Sequence, residues 1–104
     1  MQFDHRTSRR LRLETPAAAL TGFGPGRILD LGRASIAIAH DWPAEKGAKT
    51  WLEFNWGEDL MRIDCEITTT HYSPPDGYHR SGLRVRGGLS AVELRRRVEQ
   101  ALAT

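Results

Sequence analysis

Polar and apolar residues alternate with period two along most of this chain, the spacing of strands that bury one face. Arg10-Leu-Arg-Leu-Glu14 places Leu11 and Leu13 on one side of a first strand. Residues 15–26 break the alternation. Pro16, the alanines at 17 to 19, and Gly22, Gly24, Pro25 and Gly26 read as a connection with room for one helical turn, not as a strand. Arg27 to Leu31 is a short strand and Gly32-Arg33 a tight turn or bulge. Ala34 to Ala39 resumes, with Ile36 and Ile38 on a common face. After a loop from Trp42-Pro43 to Gly47, Leu52, Phe54 and Trp56 point inward against Trp51, Glu53 and Asn55. Gly57 to Asp59 is a turn. Met61, Ile63, Cys65, Ile67 and Thr69 then alternate with Arg62, Asp64 and Glu66, a strand solvated on one side. Ser73-Pro-Pro-Asp-Gly77 is a turn leading into a last strand from Tyr78 to Arg86.

The period then changes. Ser90-Ala-Val-Glu93 has the form of a capping box, in which a serine hydroxyl and a glutamate satisfy free amides of a first helical turn. Leu94, Val98, Ala101 and Leu102 follow at helical spacing, so Ser90 to Ala103 reads as an amphipathic helix. Short strands separated by turn residues indicate a sandwich or small barrel, here closed by one helix.

A chain of 104 residues suits one domain with one modest core. Its 39% hydrophobic and 27% charged residues are those of an ordinary globular protein. No apolar run approaches a membrane span. The N-terminus lacks the apolar stretch of a signal peptide. With Cys65 the only cysteine, no internal disulfide can form, and a cytoplasmic location is expected.

A net charge of +2 is too small for a whole-surface field that would draw in nucleic acid polymers. The arginine excess is local instead. Arg6, Arg9, Arg10 and Arg12 cluster near the N-terminus, where Asp4 to Arg10 form an arm without an apolar face, and Arg95 to Arg97 form a second group that reads as a solvated helix face. Guanidinium groups grip phosphates bidentately, stack on bases and dock on the O6/N7 edge of guanine. A carboxylate at Asp30 can accept from guanine's N–H donors. Arm and acid together suggest a small anionic ligand built from guanine and phosphate.

The chain resembles the PilZ domain family, whose members typically bind cyclic di-GMP. In that family an Arg-x-x-x-Arg arm precedes an Asp/Asn-x-Ser-x-x-Gly strand motif by about this distance. Arg6 and Arg10 match the arm, and Asp30 opens the second motif. Gly32 stands where the family has serine, and Ser35 where it has glycine. The resemblance continues through Gly26-Arg-Ile-Leu-Asp30, Gly47, Thr50 to Phe54, Ile63 to Ile67 and Tyr78 to Val85, covering roughly residues 6 to 86.

The resemblance implies a small six-stranded antiparallel β-barrel with a C-terminal α-helix. Residues 1–104 then form a single domain: a flexible basic arm over 1–10, the barrel over 10–86 and the helix over 90–103. It implies a bacterial cyclic di-GMP receptor that signals by ordering of the arm and contacts with a downstream protein, without catalysis. Arg6 and Arg10 would hold guanines and phosphates, Arg9 would add charge, and Asp30 would read a guanine. Gly32, Arg33 and Ser35 would line the site. No cofactor is implied beyond the nucleotide. Loss of a hydroxyl partner at position 32 is worth about 1–3 kcal/mol, or roughly ten- to hundredfold in affinity. The alternative is therefore a degenerate PilZ-like adaptor that has lost the nucleotide and works through protein contacts alone. Exposure of Leu94 and Val98 on the helix would favour it. A third reading, a barrel binding single-stranded nucleic acid, requires Trp42 or Trp51 exposed beside Arg62, Arg80 or Arg84.

Other candidates have plainer explanations. His71 and His79 flank a turn and could face each other, but no cysteine or carboxylate accompanies them at metal-ligand spacing. With His5 and His40 they read as polar strand positions. Cys65 falls between Ile63 and Ile67 on an inward face and reads as a small buried hydrophobe. Trp42 precedes Pro43 and is expected to fold onto one end of the barrel.

Overall fold

The computed structural model describes residues 10–104 and the backbone of residues 3–4. Six strands close into a barrel: β2 (Leu11–Thr21), β3 (Gly24–Leu31), β4 (Ser35–His40), β5 (Lys49–Trp56), β6 (Asp59–Ser73) and β7 (Tyr78–Gly87). A two-residue strand, β1 (Phe3–Asp4), adds to the outside of β2, and helix α1 (Ala91–Leu102) ends the fold. All neighbours are antiparallel, in the order β2-β3-β4-β7-β6-β5, and β5 returns to pair with β2. Closure leaves no barrel strand with an unpaired edge along its full length, which removes the aggregation hazard of an open sheet.

Residues 15–21 correct the sequence reading. They are the second half of β2, not a connection. The register shifts between Arg12 and Ala17, so Pro16 falls at an irregularity where the ladder does not require its missing N–H. Past that point the strand straddles two partners. Ala19, Leu20 and Thr21 pair with Gly26, Pro25 and Gly24 on one side and with Phe54, Glu53 and Leu52 on the other. Alanine has little strand preference of its own, and tertiary pairing overrides it.

The core is the inward set of each strand. Leu11, Ile28, Leu31, Ile36, Ile38, Leu52, Ile63, Ile67 and Leu83 are all essentially inaccessible. Cys65 belongs to this set, and burial, helped by nearby Asp64, pushes its thiol up to about 12. Thr69 does not. A bulge between Ile67 and Thr69 turns its side chain outward, so the inward series ends at Ile67. Leu94 and Val98 of α1 seal one end of the barrel. Trp42 seals the other, its ring against Gly24 and its Nε1 donating to the Pro25 carbonyl at 2.9 Å.

The helix begins where expected, but without the capping box. Ser90 makes no side-chain cap bond; its Oγ accepts from the Arg62 amide at 2.9 Å. Glu93 serves Arg96 and Arg97, which hold its carboxyl down at about 2. Arg97 is not a solvated face residue either. It bonds to Asp59 at 2.6 Å as well as to Glu93, fastening the helix to the start of β6.

Candidate functional site

Asp30 comes from the end of β3 and Ser35 from the start of β4, joined by a tight turn in which the Gly32 amide donates to the Ser35 carbonyl at 2.7 Å. Arg10 leads into β2, and Leu11 pairs with Leu31, so the ladder delivers the arginine to this turn. Its Nε donates to Asp30 Oδ1 at 2.6 Å, its Nη1 to Ser35 Oγ at 2.6 Å, and its Nη2 to the Ser35 carbonyl at 3.2 Å. Nη2 also stands 2.6 Å from Asp30 Oδ1. One guanidinium thus bridges strand end, turn and strand start.

Gly32 makes room for it. A Cβ there would stand 2.6 Å from Arg10 Nη1 and 3.3 Å from Ser35 Oγ. The two departures from the family motif are therefore spatially linked: the hydroxyl is supplied from position 35, and the space it serves is opened at position 32. Arg33 points elsewhere, with its Nε 4.0 Å from Glu99 of α1. Arg6 and Arg9 lie outside the described residues. Two points of the described structure bracket them: Asp4, paired with Arg12, and Arg10 on Asp30.

Beside Asp30 a groove of about 390 Å³ opens on the outer face of the barrel, lined by Arg12, Glu14, Pro16, Leu29 and Arg80. Sequence reasoning had no means of placing Arg80 here, because the register that carries it across the sheet depends on two intervening strands.

The opposite end of the barrel holds a row of rings. Phe23, Trp42, His40, His79 and Tyr72 follow one another with centroids 3.6–5.4 Å apart. His40 is buried, with Nδ1 on the Trp42 carbonyl and Nε2 on Ser81 Oγ. Desolvation lowers its pKa, against the pull of that carbonyl. His71 and His79 do not face each other: His71 pairs with Arg80 and His79 with Tyr72. Trp42 is buried, and half-buried Trp51 lies under Arg62, which pairs with Glu53. Neither tryptophan offers the open stacking face that a single-stranded nucleic acid site requires. No group of metal-ligating residues occurs among the described residues, and none of their helices is long and apolar enough to cross a membrane.

Solved structures share this architecture. The chain superposes on the Bacillus subtilis inhibitor of motility MotI/DgrA with a TM-score of 0.69 and 9% identity, over 91% of this chain and 50% of that one. MrkH of K. pneumonia in complex with c-di-GMP gives 0.66 and 18% identity, over 90% and 49%. The PilZ domain of YcgR from Escherichia coli, with c-di-GMP, gives 0.63 and 15% identity, over 94% and 89%. The fold is PilZ-like. The chain spans about half the length of the MotI/DgrA and MrkH chains. No family model and no curated protein matches the sequence. The PilZ-like barrel and its helix are thus as the motifs led us to expect, at identities where likeness speaks for fold alone.

Proposed function

We propose that this chain is a receptor module for cyclic di-GMP that acts by binding rather than catalysis. The observation that carries the reading is that the fold gathers Arg10, Asp30 and Ser35 at the β3–β4 turn beside a groove of about 390 Å³ lined by Arg12 and Arg80. Two of the structural neighbours are complexes with c-di-GMP, which supports the same reading. Arg10 has its hydrogen-bonding edge committed to protein and its charge offset by Asp30, so its contribution to a ligand is a flat face on which a purine can stack. Arg6 and Arg9 would supply the phosphate contacts, and Asp30, oriented by Arg10, would read guanine N–H groups. Gly32 leaves the room in which the Arg10 guanidinium lies against the turn, and Arg33 faces α1 instead of the ligand. In this reading the module works in the cytoplasm, and bound ligand holds the arm against the barrel to create a surface for a downstream protein.

The rival reading is an adaptor that needs no nucleotide. What favours it is that Arg10 already has protein partners on all three nitrogens. Its other expected sign is missing, because Leu94 and Val98 are buried against the barrel at 3% and 0% exposure. Calorimetric titration with cyclic di-GMP separates the two. Saturable binding that Arg6→Ala/Arg10→Ala abolishes supports the receptor. Absence of heat with folded wild-type protein leaves the adaptor.

A further inference from the structure

Eight of the eleven described arginines lie within 4.0 Å of a carboxylate. Arg12, Arg27 and Arg80 have no such partner among the described residues. These three share one region of the outer barrel wall. Arg12 pairs with Asp30, Asp30 with Ala37, and Ala37 with Gly82. In the next row Arg27 pairs with Ala39, and Ala39 with Arg80. Cross-strand partners project from the same face, so small residues form a low floor and the arginines stand around it. Arg27 is partly occupied, its guanidinium lying 5.7 Å over the Tyr78 ring. Arg12 and Arg80 are exposed and both line the groove beside Asp30.

We infer that Arg12 and Arg80 form a second anion seat, next to the Arg10–Asp30 turn, for a phosphate of a nucleotide ligand. The inference rests on the receptor reading of this face. Two guanidinium groups facing one groove, neither with a carboxylate partner among the described residues, repel each other, and an anion held by both removes that repulsion. A groove of about 390 Å³ lies in the size range of small-ligand sites. Among the described residues two carboxylates, Asp30 and Glu14, line the seat. Asp30 is neutralised by Arg10, whereas Glu14 on the rim has no cationic partner among the described residues. Arginine supplies attraction and Glu14 limits it, so the seat predicts changes of opposite sign when each is removed.

The test uses the full chain in two titrations. Cyclic di-GMP binding is measured by calorimetry for wild type, Arg12→Ala/Arg80→Ala, Glu14→Gln and Arg96→Ala. The last removes an exposed arginine whose partners, Glu93 and Gln100, lie on its own helix α1. The double alanine variant should weaken binding about tenfold or more. Glu14→Gln should tighten it severalfold, Arg96→Ala should leave it unchanged, and the differences should shrink as salt rises. In parallel, pyrophosphate is added to 15N-labelled protein while the Nε–Hε signals of Arg12 and Arg80 are followed. Cyclic di-GMP binding as in wild type by the double variant overturns the seat while leaving the receptor reading intact. If wild type ignores cyclic di-GMP but pyrophosphate shifts both arginine signals, the receptor reading falls and the anion seat stands. If neither titration responds, both are overturned.

Discussion

Exchange of residues 32 and 35 tests whether the hydroxyl that holds Arg10 can be supplied from either position of the turn. Ser35→Gly removes the hydroxyl that Arg10 Nη1 holds at 2.6 Å. A hydrogen bond to a charged donor is worth about 1.5–3 kcal/mol when buried. Arg10 keeps a third of its side chain exposed, so water recovers much of that, leaving about 1 kcal/mol. Glycine in place of serine at a strand start adds about 0.5–1 kcal/mol of backbone entropy. Gly32→Ser puts a Cβ at 2.6 Å from the same nitrogen. The obstructing atom ends a flexible side chain, so Arg10 swings away, losing Asp30 and Ser35 together at about 1–2 kcal/mol. In the double variant the introduced hydroxyl enters space that Ser35 Oγ has vacated, and Arg10 can bond it there. The double should therefore cost about 1 kcal/mol less than the sum of the singles. Urea unfolding at neutral pH measures all three differences against wild type. Additivity within about 0.3 kcal/mol would refute the reasoning, as would a coupling that persists in an Arg10→Ala background.

Two further outcomes follow from the barrel itself. Gly88 has φ of +104° and a Cβ there would lie 2.8 Å from Ile63 Cα and the Asp64 amide nitrogen, so Gly88→Ala should cost about 2 kcal/mol or more in urea unfolding. A cost under about 0.5 kcal/mol would show that the chain between β7 and α1 is not pinned against β6. Because His40 is held neutral, its folded pKa lies below the unfolded value of 6.5; its contribution is complete above that pH and is lost as pH falls through the folded pKa. The unfolding midpoint should decline below pH 6.5, and an NMR titration in which the His40 ring protonates at or above that value would contradict the burial argument.

The strands that could be read from the sequence are those that bury one face against a single core. Leu11 and Leu13, Ile36 and Ile38, and Met61 through Ile67 all announce themselves by alternation, and each is buried. Residues 15–21 could not be read, because they are a strand only by virtue of β3 and β5 on either side, and no local preference records that. The capping box failed for a related reason. Ser90 and Glu93 were the right residue types, but Arg62 and the arginines of α1 offered them partners outside the first turn. Asp30 and Ser35 were both named from the motif, but their common hold on Arg10 depends on the closeness of a turn, and the place of Arg80 beside the groove on two strands of register, so neither arrangement was legible in one dimension.

The position of Arg10 constrains how a signal could leave this barrel. It adjoins β2, the strand that also closes the barrel through Ala19, Leu20 and Thr21 against β5. A strand paired on both sides, with Leu11 and Leu13 packed in the core, does not deform gradually when the residue before it is engaged. In the receptor reading, a ligand at Arg10 would therefore change what stands on the barrel rather than the barrel itself. Among the described residues α1 is placed to register such a change, because its Glu99 lies 4.0 Å from Arg33 in the turn that carries Gly32 and Ser35. That last contact is exposed and weak, which suits a link that must be made and broken at little cost. Removal of Glu99 should then leave the Arg10 cluster intact while separating the helix from events at the turn.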